Sequence, residues 1–95
     1  MALNISVGAD STETINSTNA PTDDIVNAEL LGNSNLIIDG VDVSLNTTIG
    51  AGVLQESTVS AVNGANVVVT GVAGVTAANA ITYNIGADSS LQYGG

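Results

Sequence analysis

Between Val41 and Ile49 the chain alternates. Val41, Val43, Leu45 and Ile49 are apolar, and Asp42, Ser44, Asn46 and Thr48 among them are polar. Side chains of an extended strand point in turn to its two faces, so a period of two makes one face oily and the other wet. A helix cannot use that pattern, because its faces repeat about every 3.6 residues. The same signature recurs in Leu3, Ile5 and Val7, in Thr58–Val62, and in Ile81, Tyr83 and Ile85. Gly, Asn and Asp separate the runs, and these residues favour the backbone of turns. The chain therefore reads as mainly all-β.

Two dipeptides suggest how the strands are joined. Asp39-Gly40 follows Leu36-Ile37-Ile38, and Asn63-Gly64 lies between Thr58–Val62 and Asn66–Thr70; both are two-residue hairpin signals. With Leu91–Gly95 as a short edge strand, the expected architecture is a single domain over 1–95, a small antiparallel sandwich or barrel. Residues 9–22 are rich in Ser, Thr, Asn and Asp and hold the one proline, Pro21. They read as a loop or extended arm. Thr22–Gly32 carries helix punctuation: Thr22 as cap, Asp23 and Asp24 in the first turn, Gly32 at the end, and Ile25, Ala28 and Leu31 on one face. This points to a short helix near 23–31, with a strand across Val26–Leu31 as the competing reading. Val7-Gly8-Ala9-Asp10-Ser11 echoes Ile85-Gly86-Ala87-Asp88-Ser89, and Thr48–Val53 loosely echoes Thr70–Val75. The echoes share no fixed period, so they read as common turn chemistry rather than as a solenoid.

Charge narrows the functions. The chain has no Lys, Arg or His and nine carboxylates, for a net charge of −9. Nucleic acid and anionic membrane surfaces both require cations, so neither is an expected partner. No apolar run approaches the roughly 18 residues of a spanning helix. Serine and threonine nucleophiles have no His or Lys to activate them, and a glycosidase pair would need a cleft that nothing here marks. The expectation is no enzyme and no cofactor. Structural calcium is the one ligand left open, through Asp39 and Asp42 or through Asp23 and Asp24, although the loop spacing of known calcium motifs is missing. Sequons at Asn4, Asn16 and Asn46 are what so much Asn, Ser and Thr produces by composition. The start, Met1-Ala2-Leu3-Asn4-Ile5-Ser6, lacks the basic region and long apolar run of a secretory signal, so with Met1 as the native start synthesis without export by the usual route is expected.

The chain is 44% hydrophobic with a mean hydropathy of +0.39, which separates it from disordered acidic tails. Its core is nevertheless built without Phe, Trp or Cys and with only Tyr83 and Tyr93 as aromatics. Small domains lacking aromatics and disulfides often rely on oligomerisation. Val67-Val68-Val69 is apolar on both faces, and with Val72 and Val75 it forms the expected interface. Exposed strand edges are commonly shielded by lysine, which this chain does not have, so covered edges are expected.

In size, composition and β content the whole chain resembles the decoration (cement) proteins of tailed-phage capsids. That resemblance implies a structural virion protein on the capsid exterior, bound to the major capsid protein, often as a trimer. The alternative class is a cell-surface or filament-forming β protein such as an adhesin, pilin or sheath subunit. A carbohydrate-binding module is a third, weakened by the scarcity of aromatics.

Overall fold

A computed structural model describes residues 1–94, and among these residues there are nine strands and no helix. In chain order they are β1 (Leu3–Val7), β2 (Thr12–Ile15), β3 (Ile25–Leu30), β4 (Asn35–Asp39), β5 (Asp42–Ile49), β6 (Ser57–Val62), β7 (Asn66–Ala73), β8 (Ile81–Ile85) and β9 (Ser90–Tyr93). Odd-numbered strands form one sheet in the order β1-β3-β5-β7-β9, and even-numbered strands form the other, β2-β4-β6-β8. Every pairing is parallel. The chain winds from one sheet to the other and back, making a β-solenoid of about four coils.

This corrects the antiparallel sandwich or barrel. Asp39-Gly40 and Asn63-Gly64 do bend the chain, with φ of +71° at Gly40, +55° at Asn63 and +82° at Gly64. The bend carries it into the opposite sheet, so the strands on either side never pair. Leu36 instead lies beside Val59, and Val43 beside Val67. A turn dipeptide encodes a change of direction and not the strand that lies alongside. Parallel pairing one coil away lets both sheets turn their apolar faces inward together.

The helix near 23–31 is also corrected, in favour of the competing strand. β3 is paired on both edges, by β1 and β5, and buries Val26, Ala28 and Leu30. Asp24 has a φ of +60°, which a first helical turn does not allow. The Asp23 carboxylate accepts the Ile25 amide at 3.1 Å, so it serves a bend rather than a cap. Inside the supposed arm, Thr12–Ile15 forms β2, with Ile15 in the core. The connection that follows β2, 16–24, is a corner closed by asparagines. The Asn19 side-chain amide donates to the Thr14 carbonyl at 2.9 Å, and Ala20 packs against the core.

The repeat was hidden because its length varies. β1 and β3 are offset by twenty-three residues (Leu3 beside Val26), β3 and β5 by nineteen (Ile25 beside Ser44). Between β5 and β7 the step passes from twenty-four (Leu45 beside Val69) to twenty-five (Asn46 beside Gly71) at a bulge. Gly71 suits that site, because a Cβ there would lie 2.5 Å from Asn46 Oδ1. The first echo is one turn used at opposite corners: Asp10 and Asp88 have φ of 60° and 58°, and Ser11 and Ser89 each donate an amide to Gly8 and Gly86.

Stacking gives the acidic residues uncharged partners. Adjacent coils stand about 4.8 Å apart, so a donor on one coil meets an acceptor on the next. Asn33 donates to Asp10 at 2.9 Å, Asn63 to Asp39 at 2.8 Å, and Asn27 to Asn4 at 2.8 Å. One ladder spans three coils: Asn66 donates to Asp42 from its backbone at 3.2 Å and its side chain at 2.9 Å, and Ser90 donates to Asn66 at 2.7 Å. Asp42→Ser shortens the acceptor and breaks that ladder, costing about 1 kcal/mol, or about 4–8 °C in Tm for a domain of this size. An unchanged melting curve would show that the ladder contributes nothing.

Candidate contact end

The last coil lies at the C-terminal end of the stack. β8 and β9 have no further strand beside them among the described residues. Their inward side chains, which in earlier coils are covered by the next coil, keep the same columns but are left partly uncovered among the described residues. Ile81 and Tyr83 from β8, Leu91 and Tyr93 from β9, and Val69 and Val72 of β7 line an apolar cleft of about 380 Å³. Val75 and Ala80 close its side. Ile85 is 55% exposed, Tyr93 66% and Val75 46%. Burial in this wall pushes the Tyr83 phenol above its ordinary pKa.

Of the five valines expected at an interface, the structure brings three to this cleft: Val69, Val72 and Val75. Val72 lines the cleft and Val75 stands exposed at its rim. Val67 and Val69 are each 1% exposed and belong to the core; Val69 reaches the cleft only as its floor. Val68 points to the outer face of the five-stranded sheet, half-buried. The same apolar surface holds Ile81, Tyr83, Ile85, Leu91 and Tyr93, which the sequence did not single out for an interface. Their shared apolar face was visible in the alternation, but its lack of a cover depends on coil order.

The opposite end differs in chemistry. The register runs Glu13, Leu36, Val59, Tyr83 from coil to coil. Glu13 therefore occupies an inward column, and it remains exposed because it lies in the first coil. Asp10, Asp23 and Asp24 sit in that coil's corners. The Ile25 amide, aided by the Met1 ammonium 3.1 Å away, holds the Asp23 carboxyl below its ordinary value. This contribution is complete above the ordinary carboxyl range and is lost as pH falls through the lowered value. Eight of the nine carboxylates precede Ser57, leaving only Asp88 in the last two coils. The solenoid has an acidic end and an apolar end.

Among the described residues, no three acidic side chains gather as a metal site. Asp24 and Asp42 border a shallow groove of about 210 Å³, and Asp39 and Asp42 are engaged by Asn63 and Asn66. No helix among these residues is long and apolar enough to cross a membrane. No family model, curated protein or solved structure matches this chain.

Charge also sets a solution behaviour. With no cationic side chain, the carboxylates chiefly repel, and the Met1–Asp23 pair is the one ion pair among the described residues. Salt screens exposed charges within about 8–10 Å, so raising NaCl from low to moderate concentration should raise Tm by a few degrees. A Tm that falls with added NaCl would contradict this.

Proposed function

We propose that the protein is a non-catalytic structural module, held in a larger assembly by its C-terminal coil and displaying its acidic N-terminal coil to solvent. The observation that supports this reading is the polarity of the two ends: an apolar cleft with exposed Val75, Ile85 and Tyr93 at one, and exposed Glu13 in the first coil at the other. Large apolar patches rimmed by polar residues mark association sites. A virion exterior, bound to the major capsid protein, is one setting for such a module. A cell surface or filament is the other. In both, the acidic first coil faces outward and the apolar cleft meets the scaffold.

The absence of cysteine makes the test clean. Ile85→Cys and Thr12→Cys variants are incorporated into the native particle or filament and treated with a maleimide dye. Ile85→Cys should be shielded and Thr12→Cys labelled. Free labelling of Ile85→Cys would remove the contact end.

A further inference from the structure

We propose that Asn63 is a deamidation site which the folded corner keeps closed, so that opening of the corner converts it irreversibly to a carboxylate. Asn63 is the one asparagine of the chain followed by glycine, and Gly64 has no Cβ to hinder attack by its own nitrogen on the preceding side chain. In that step the Gly64 nitrogen loses its proton and bonds to the Asn63 Cγ. The Cγ–Nδ2 bond breaks, and the side-chain nitrogen leaves with the proton as ammonia. Water then opens the cyclic imide at either carbonyl, giving aspartate or isoaspartate. One water is consumed and one ammonia is released.

Both reacting groups are occupied in the fold. The Asn63 side-chain amide donates to Asp39 at 2.8 Å, and the Gly64 amide donates to Ser89 Oγ at 3.1 Å. Nucleophile and leaving group are thus tied to the coils on either side, and both ties must open before the nitrogen can attack. Asn33 makes the matching contact at another corner, donating to Asp10 at 2.9 Å with the same φ of +55°. Ser34 follows it, buried and bearing a Cβ, so Asn33 serves as an internal reference. The product does not restore the corner. Aspartate accepts a left-handed backbone, as Asp88 does at a φ of 58°, but its carboxylate meets Asp39 where an amide had donated. No Lys, Arg or His exists to bridge the two, and like charges at that distance repel. Deamidation therefore loosens the tie between the corners that follow β4 and β6.

The chain is incubated in mildly alkaline buffer, native or unfolded in urea, and each asparagine is followed by peptide mass spectrometry. Asn63 should convert about 10-fold or more faster in urea than in the native chain, because two hydrogen bonds hold the corner shut. Asn33 should lag behind Asn63 in urea. Asn63→Asp should lower Tm by about 4–8 °C at neutral pH. Adding Asp39→Asn, which exchanges donor and acceptor, should return most of that loss. Equal rates with and without urea, or Asn33 converting as fast as Asn63 in urea, would overturn the proposal. So would an Asn63→Asp variant as stable as the parent, or a double variant no more stable than Asn63→Asp.

Discussion

Leu45→Asp should leave the chain unfolded at 25 °C. Leu45 is fully buried in the column that joins Val26 to Val69. Removing a buried leucine costs about 2–5 kcal/mol through lost burial and the cavity left behind. Placing a carboxylate there costs several kcal/mol more, since no cationic side chain exists anywhere in the sequence to pair with it. Domains of this size have about 5–15 kcal/mol of stability in total, so the combined cost removes most or all of it. Thr48→Ser on the outer face of the same strand should stay within about 0.5 kcal/mol of the parent. Circular dichroism and a thermal melt distinguish the outcomes. A Leu45→Asp variant that keeps its β signal and melts cooperatively would mean that the inner face of β5 is misassigned.

Asn79→Ala is the second large effect, at about 2–4 kcal/mol. Asn79 is only 3% exposed and sits in the corner 74–80. Its side-chain amide donates to the Val53 carbonyl at 3.0 Å and the Gly74 carbonyl at 3.2 Å, and its oxygen accepts the Thr76 amide. It thus ties the corner of the last full coil to the corner of the coil before it. Each such bond contributes about 0.5–1.5 kcal/mol net, and a buried partner left unpaired costs more. Val75 rides on the same corner, so the variant should also loosen one wall of the cleft. Urea unfolding measures the loss; a change below about 0.5 kcal/mol would mean that water replaces the amide without penalty.

The strands were largely legible in the residues and their arrangement was not. Leu3–Val7, Val41–Ile49 and Ile81–Ile85 announce themselves by alternation, because inward and outward positions follow the backbone's own period. Pairing partners lie nineteen to twenty-five residues away, and nothing local reports them. Corners of four residues at 8–11 and 31–34 but seven at 50–56 and 74–80, and of nine at 16–24 but two at 40–41, break the period a repeat search needs. Polar residues that serve the core were equally hidden. Thr47 is fully buried with its hydroxyl donating to the Gly71 carbonyl at 3.2 Å. Ser34 donates to Ser57, which donates to the Leu31 carbonyl, each at 3.0 Å. Those roles exist only once coils are stacked. Of the valines expected at an interface, Val72 and Val75 lie at the apolar cleft, whereas Val67 and Val69 carry the same alternation as core and are buried.

The parallel solenoid itself is tested most directly by proton–proton contacts in the nuclear magnetic resonance spectrum. Parallel pairing of β4 with β6 predicts contacts between the Leu36 and Val59 backbones, and pairing of β5 with β7 between Val43 and Val67. The short Hα–Hα contacts of antiparallel neighbours should be missing across Asp39-Gly40 and across Asn63-Gly64. Strong Hα–Hα contacts between Ile37 and Asp42, or between Ala61 and Asn66, would establish two-residue hairpins there and contradict the solenoid.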